Sequence, residues 1–499
     1  MRILLPILCF FFFAETQAQD KRDYLWFSAN QTDIAPGIET ILFDFNNDQK
    51  IVELGTSILE YNRNNAIVSD REGNLLFYSN GCAVADRMHR IMPNGEGIND
   101  GEFFQTLWDN DCANGFPGNQ DILALPDPAD SLGCYLITKL PEIKPEGIVK
   151  QTIIQYSYID LRLNGGYGDV TVKNQVLLDS IDFSVSCLNA IEHSNKKDYW
   201  ILQPAEDSKV YTLLLNEEGI ALNQVQEVFP AVDFLTASSG MSSFSTDGKM
   251  FAFNTSKQGI FVFDFDRDTG LLSNQRIYPL YSEFGLISME FSPSGQFIYA
   301  SLTDSLYQVD LWEEDVDEAA ILIDTWDGTS DPFATTFSVC KLAPDCRIYI
   351  APGSSSRFYH FINKPDEKGL DCDFRQRGLE LPWISPLGNF PNYPRFRVDD
   401  DEKCDPSITT MFGNPVFYQK DLEVYPNPAS DFVNVNFPEG QKGIVLLYSR
   451  SGEVIFQEKI QESTKRLDIN PYPSGMYFLE FIPDENRDLY IYSAKLVIE

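Results

Sequence analysis

The chain has 499 residues, of which 43% are hydrophobic and 13% aromatic, so it carries enough apolar surface to fold. Its 74 acidic residues against 38 basic ones give a formal net charge of −36 at pH 7. This charge excludes nucleic acid as a partner and argues against an anionic membrane surface. Because single hydrophobic cores stop growing near roughly 250–300 residues, the length predicts several domains or a repeat architecture.

The first eighteen residues have the pattern of a secretory signal peptide. A positive charge at Arg2 precedes an apolar run that ends at Ala14, and Thr16-Gln17-Ala18 is a small-x-small cleavage pattern, so we expect cleavage after Ala18. The run is shorter than the roughly 20 residues of a membrane span, and no later segment is long and apolar enough to span. Cys9 follows Leu8, where a lipoprotein processing site would need a small residue, so we expect no lipidation there.

Loss of Cys9 with the signal peptide leaves eight cysteines. They are Cys82, Cys112, Cys134, Cys187, Cys340, Cys346, Cys372 and Cys404. An even number in an exported chain predicts disulfides, although the sequence leaves their pairing open. There is no Cys-x-x-Cys pair, so the spacing gives little support to a structural zinc site.

One local pattern recurs between residues 64 and 352: a short apolar strand, a polar turn rich in Asp, Asn, Ser and Gly, and a strand dense in β-branched and aromatic residues. The copies lie at 66–78, 122–138, 190–202, 241–253, 289–300 and 340–351. A period of about 50 residues with one hairpin signature per unit is typical of four-stranded propeller blades. We therefore expect an all-β chain with a β-propeller of about seven blades over residues 19–404.

The seventh blade needs strands from outside the six copies. We expect the N-terminal strands around 25–27 and 41–45 to join the stretch 390–396, which would close the ring.

Two sets of motifs resemble known propellers. The sequence Phe-Ser-Pro-Ser-Gly-Gln-Phe-Ile-Tyr-Ala-Ser at 291–301 resembles the blade hairpins of lactonase-like and WD-repeat-like propellers. The motifs at 70–78, 92–95 and 193–200 are similar to the N-terminal region of secreted Bacteroidota propeller proteins that end in sorting or gliding-motility domains. This similarity spans roughly residues 24–398, and most of those relatives have no assigned activity.

A second module follows the acidic run 399–402. Residues 405–420 read as a linker, and residues 421–499 contain alternating strands separated by turn residues, which predicts a small immunoglobulin-like β-sandwich. The module resembles the type A C-terminal sorting domain of type IX secretion substrates, with its landmarks in order. The resemblance implies a sorting signal formed by Tyr425, Pro426, Asn427, Pro428, Gly452, Gly475, Tyr477 and Lys495. The alternative is an ordinary accessory domain that sorts nothing.

Candidate catalytic groups are few. His89, His193 and His360 are the only histidines, and there is no Gly-x-Ser-x-Gly elbow, His-Glu-x-x-His motif or phosphate-binding glycine loop. We predict no catalytic residue and no required cofactor, although scattered loop residues can assemble a propeller active site.

Asp44, Asn46 and Asp48 have the alternating oxygen ligands of a partial calcium loop. The same residues also fit an ordinary polar turn at a strand end, and this is the interpretation that we favour.

The leading hypothesis is a secreted or cell-surface binding and scaffold propeller. It would recognise a protein or glycan, with export across the outer membrane by the type IX machinery after transit through the periplasm. The rival hypothesis is a secreted lactonase-like propeller hydrolase with a metal in the central channel.

Overall fold

The structure of the chain is a computed structural model. It describes residues 19–28, 40–46, 51–54, 59, 61, 64–107, 115–116, 118–228, 240–255, 258–280, 288–385, 390–399, 403–406, 408, 418–437, 442–449, 454–483 and 490–498. The predicted signal peptide, 1–18, lies outside these residues. Strands are the main regular structure of the described part, and its helices are α1 (Glu102–Leu107) and two 3₁₀ turns, Asn164–Gly166 and Gly369–Cys372. In this part of the chain no helix is both long and apolar enough to cross a membrane.

The N-terminal part is a β-propeller, as predicted. The described residues form one three-stranded sheet, called the N-terminal sheet, and six four-stranded antiparallel blades built from consecutive strands. The N-terminal sheet is β1 (Leu25–Ser28), β2 (Thr40–Asp44) and β3 (Ile51–Leu54). Blade 1 is β4 (Ala66–Ser69), β5 (Leu75–Ser79), β6 (Ala83–Asp86) and β7 (Ile91–Glu96). Blade 2 is β8 (Ile122–Asp127), β9 (Asp130–Ile143), β10 (Val149–Asp160) and β11 (Asp169–Leu178).

The remaining blades follow the same order. Blade 3 is β12 (Asn189–Glu192), β13 (Tyr199–Pro204), β14 (Lys209–Asn216) and β15 (Gly219–Glu227). Blade 4 is β16 (Ser242–Phe244), β17 (Met250–Thr255), β18 (Gly259–Asp266) and β19 (Leu271–Tyr278). Blade 5 is β20 (Ser288–Phe291), β21 (Phe297–Leu302), β22 (Ser305–Asp310) and β23 (Ala320–Thr325). Blade 6 is β24 (Phe337–Leu342), β25 (Ile348–Pro352), β26 (Ser356–Ile362) and β27 (Phe374–Ser385).

The first strand of each blade lies innermost, and in blades 1, 3, 4 and 5 it contacts the first strand of the next blade. We call the face where these six strands end the exit face and the opposite one the start face. The first hairpin of each blade turns at the exit face, and blades 1, 4 and 5 place Gly73, Gly248 and Gly295 at its left-handed position, with φ of 88°, 68° and 75°. The recurrent Gly in the sequence pattern therefore marks a backbone conformation that Gly adopts without steric cost.

An aromatic cluster closes the ring between the N-terminal sheet and its two neighbours. Trp26 lies 6.2 Å from Tyr349 of blade 6 between ring centroids, and Phe27 lies 5.2 Å from Tyr78 of blade 1. Trp26, Phe27, Tyr78 and Tyr349 are all at most 1% exposed. The ring is thus joined at its seam by burial of apolar surface.

The prediction that residues 390–396 complete the seventh sheet as a strand is wrong. The sheet described has the order β1-β2-β3, and within 390–396 only Arg395 forms an isolated β-bridge, to Ile191 of blade 3. Pro391 and Pro394 lack backbone N–H donors, so this stretch is poorly suited to a sheet ladder. It lies instead in the central channel, where Phe390 packs on Trp26 with ring centroids 5.2 Å apart.

The C-terminal part is a β-sandwich, which confirms that prediction. One sheet has the order β28-β35-β34-β31-β32 and the other β29-β30-β33. Their bounds are β28 (Tyr418–Asp421), β29 (Glu423–Tyr425), β30 (Phe432–Asn436), β31 (Gly443–Tyr448), β32 (Val454–Ile460), β33 (Thr464–Asp468), β34 (Gly475–Pro483) and β35 (Tyr490–Ile498). Val433, Val445, Leu479 and Leu496 are fully buried between the sheets, so the module has a core of its own.

Disulfides are present, as the cysteine count predicted. Cys346 is bonded to Cys404, and Cys82 is disulfide-bonded as well. Cys346 occupies the left-handed position of the first hairpin turn of blade 6, with φ of 66°, where three other blades have Gly. The disulfide therefore fastens the chain that leaves the channel to the exit face. Four other thiols, Cys134, Cys187, Cys340 and Cys372, are free and buried.

We expect Cys346→Ser combined with Cys404→Ser to lower the free energy of unfolding by about 4 kcal/mol, because the bond closes a loop with a sequence separation of 58 residues. Guanidinium denaturation followed by tryptophan fluorescence measures the loss. Cys340→Ala is the control, since it trims a buried free thiol without opening a covalent loop, and it should cost about 1 kcal/mol. A double variant no less stable than this control would contradict the expectation.

Candidate functional site

The central channel of the propeller is filled by residues 390–399, which we call the channel segment. Near the start face, the Asn392 amide donates hydrogen bonds to the carbonyls of Ile122 (3.0 Å) and Leu188 (2.8 Å) in blade 2 and just before blade 3. Near the exit face, Val398 packs with Trp200 and other apolar side chains of blades 3 and 4. The segment therefore passes through the channel from the start face to the exit face.

Arg395 is the main polar anchor of the channel segment. Its guanidinium forms an ion pair with Glu290 of blade 5 and donates to the Ser243 hydroxyl (3.0 Å) and the Phe244 carbonyl (3.0 Å) of blade 4. Glu290 is 2% exposed and also accepts from the Ser243 hydroxyl at 2.7 Å. A carboxylate this deeply buried needs such a cation, because its desolvation costs several kcal/mol.

A second ion pair holds the segment at the exit face. Arg397 forms a two-pronged ion pair with Asp23, one prong of which is 2.8 Å long, and its Nε donates to the Lys403 carbonyl at 3.0 Å. Two-pronged pairing fixes the orientation of the guanidinium as well as its distance. The residues just before β1 and the residues just after the channel segment are thereby joined.

A pocket opens beside these arginines at the exit-face mouth of the channel. Four basic side chains line it: Lys341, Arg395, Arg397 and Lys403. Its acidic lining residue is Asp23, and its apolar walls include Trp26 and Phe396. A chain with a net charge of −36 thus concentrates positive charge at one point of its surface.

The three histidines lie in different blades and are not brought together. His89 of blade 1 shares a 3.0 Å hydrogen bond with the Tyr78 hydroxyl, and His193 of blade 3 stacks on Trp200. His360 of blade 6 is fully buried, and burial lowers its pKa to about 4, so it stays neutral at physiological pH. Each histidine ring is therefore surrounded by residues of its own part of the fold, and the three do not form a common site.

The four free thiols are buried. Burial raises the pKa of Cys187 and of Cys340 to about 12, so these groups remain thiols at neutral pH. Among the residues described, no three His, Cys, Asp or Glu side chains are grouped to hold a metal ion.

Two of the calcium candidates form a polar turn at the end of β2. Asp44 accepts hydrogen bonds from the backbone N–H (2.9 Å) and the side-chain amide (3.0 Å) of Asn46, and that amide also donates to the Gly73 carbonyl at 3.2 Å. The third candidate, Asp48, lies outside the described residues. Calcium binding at this turn remains the alternative that the sequence left open.

The structure brings several of the predicted sorting residues together. The Asn427 side chain bridges the terminal strand β35: its Nδ2 donates to the Lys495 carbonyl at 2.6 Å, and its Oδ1 accepts from the Val497 N–H at 2.9 Å. Tyr477, on the adjacent strand β34, pairs with Leu496 in the ladder. The Pro-Asn-Pro turn is thus docked on the last strand of the chain.

The other predicted sorting residues lie around this turn. Pro426 and Pro428 flank Asn427, Gly475 begins β34 opposite Ile498, and Tyr425 is 45% exposed in β29. Gly452 lies outside the described residues.

The sequence interpretation missed the ion pairs of Arg395 and Arg397 and the place of Lys341 in the pocket lining. A usable signal was present: two arginines two residues apart, in a stretch with Pro391 and Pro394, within a strongly acidic chain. The prolines point to an extended segment outside a sheet, and the arginines point to buried or paired acids.

Comparison with protein families identifies the second module. Residues 423–499 match the family described as the secretion system C-terminal sorting domain. The chain is therefore a secreted protein directed to the outer-membrane surface, and the type IX secretion machinery is its transport partner. No curated protein matches the sequence.

Several solved structures resemble the fold at low sequence identity. A 6-phosphogluconolactonase-like protein from Bacteroides uniformis ATCC 8492 is 13% identical, with a TM-score of 0.44, and the match covers 74% of this chain and 98% of that one. A similarly described protein from Bacteroides fragilis NCTC 9343 is 10% identical, with a TM-score of 0.36 and coverage of 73% and 97%. The extracellular domain of a hybrid two-component system from B. thetaiotaomicron is 12% identical, with a TM-score of 0.39 and coverage of 96% and 56%.

We expect Arg395→Met to lower the free energy of unfolding by about 3–5 kcal/mol, because it leaves the Glu290 carboxylate buried without its cation. Arg375→Met is the matched control: Arg375 pairs with Asp373 at 2.7 Å, but its side chain is 61% exposed, so the loss should stay below about 1 kcal/mol. Guanidinium unfolding of the full chain measures both. Equal losses would show that Arg395 does not anchor the segment.

Proposed function

We propose that this protein is a binding module of the cell surface, which recognises a protein or glycan through the exit face of its propeller. The sorting domain delivers it across the outer membrane. The observation that carries the proposal is the channel segment, which occupies the axis of the propeller and leaves recognition to the faces.

The exit face carries exposed apolar side chains on a rigid support. Trp312, after β22 of blade 5, is 71% exposed, and Leu370, before β27 of blade 6, is 78% exposed. Lys368, between β26 and β27 of blade 6, forms an ion pair of 2.8 Å with Asp310 at the end of β22 in blade 5. The β22–β23 and β26–β27 connections are therefore joined. Large exposed apolar groups on a fixed frame are typical of recognition sites, since little conformational entropy is lost on binding.

The rival function is a hydrolase with a metal in the channel. Such a site needs carboxylates or histidines that are free to coordinate. Asp23 and Glu290, the acids that meet the channel segment, are each engaged by an arginine. This pairing favours the binding module over the hydrolase.

We expect deletion of residues 420–499 to leave the chain in the periplasm, because the deletion removes the sorting domain. Protease accessibility on intact cells and fractionation of the periplasm measure the location. The full chain with Trp312→Ala is the control and should reach the surface normally. Surface delivery of the truncated chain would refute the sorting role.

We expect Trp312→Ala to weaken binding of the full chain to its surface ligand by about 2 kcal/mol, roughly 30-fold. Interferometry against a panel of purified polysaccharides and outer-membrane proteins measures the affinity. Phe333→Ala is the matched control, since Phe333 is 58% exposed in the connection between β23 and β24, at the start face.

Equal effects of the Trp312 and Phe333 substitutions would refute exit-face recognition. Lactone hydrolysis that depends on added calcium or zinc would favour the rival function instead.

A further inference from the structure

The basic side chains that line the pocket at the exit-face mouth differ in whether they have a partner within the protein. Arg395 and Arg397 each bind a carboxylate, and the Lys403 ammonium donates to the Val398 carbonyl. The charges of the two arginines are therefore balanced within the protein, and the Lys403 ammonium has a carbonyl as its hydrogen-bond partner. These three side chains form the wall of the pocket beside the end of β24.

Lys341 differs from its neighbours. It lies on the innermost strand of blade 6 and lines the pocket, yet within the part of the chain that the structure describes its ammonium makes no hydrogen bond and no ion pair. Its side chain is only partly exposed. An ammonium that is partly withdrawn from water without a partner loses some of its hydration free energy, and a bound anion would compensate for this loss.

The charged groups around Lys341 also leave its positive charge unbalanced. Burial lowers the pKa of Lys341, nearby Glu290 and Asp23 raise it, and Arg395 lowers it. The two acids are already neutralised by arginines, so the positive charge of Lys341 is left without a counterion of its own. Because Glu290 and Asp23 balance the two arginines, Lys341 and Lys403 supply the excess positive charge of the pocket lining, which attracts a small anion.

We propose that Lys341 anchors an anion site at the exit-face mouth of the channel, which takes a small organic ligand through its carboxylate or phosphate group. The ligand's remaining part lies against Phe396 on the pocket wall. This inference rests on the proposed exit-face binding function and gives it a ligand class. The acidic exterior of the protein excludes large polyanions, so a single charged group is the feature recognised.

The test is isothermal titration of the purified full chain with glucuronate, acetate and inorganic phosphate at constant ionic strength, with glucose as the neutral probe. We expect the anions to bind and glucose not to bind. Lys341→Met keeps an unbranched side chain, one atom shorter, and removes its charge, so it should lower the affinity for the anions about tenfold or more. Preference for phosphate or for the carboxylates identifies the group recognised.

Lys209→Met is the matched control, because Lys209 pairs with Asp207 on the surface and is remote in sequence from the pocket lining. It should leave the affinity unchanged. Thermal unfolding checks that Lys341→Met folds, and we expect no loss of stability since Lys341 has no protein partner to lose.

Two results would overturn the proposal: equal affinity of the wild type and Lys341→Met, or no binding of any anion at millimolar concentration. Either failure is distinguishable from failure of exit-face recognition, which is measured separately by the Trp312 and Phe333 variants. If Trp312→Ala still weakens ligand binding while the anions do not bind, exit-face recognition stands and the anion site does not.

Discussion

Filling the propeller axis with residues 390–399 is the constraint on which the rest of the molecule depends. A ring of seven sheets leaves an axial hole, and here the chain fills that hole with its own backbone, anchored by Arg395 on Glu290. Because the pair is buried and hydrogen-bonded to Ser243, its loss would leave an unpaired charge in the middle of the fold. The same arginines form the wall of the exit-face pocket, so the side chains that anchor the channel segment also shape the site that we propose for the ligand.

This arrangement also makes the ring depend on contacts between distant parts of the sequence. The Tyr393 hydroxyl donates to the Leu25 carbonyl at 2.5 Å across a separation of 368 residues, and Asn392 and Arg395 reach blades 2 to 5. The channel segment can be fully bound only when all these blades are in place. Its binding therefore couples the blades, which would otherwise contact only their neighbours.

The sequence predicts the repeated parts of the fold well and the unique parts poorly. The blade hairpins follow from local turn chemistry, in which residues such as Gly73 and Gly248 occupy left-handed positions, and the sorting domain follows from landmarks such as Asn427 and Gly475. The channel segment does not, because its partners are backbone carbonyls and acids hundreds of residues away. The pairing of Cys346 with Cys404 is hidden for the same reason: a cysteine in a Gly position reveals its partner only in three dimensions.

The disulfide between Cys346 and Cys404 also decides where mechanical load enters the propeller. Cys404 follows the channel segment and precedes the sorting domain, so tension applied through the sorting domain during transport reaches the covalent bond first. The force then passes into the β24–β25 hairpin of blade 6, and not along the channel segment. The channel segment is thereby shielded from being drawn out of the ring, because the load enters the propeller at a hairpin beside the channel.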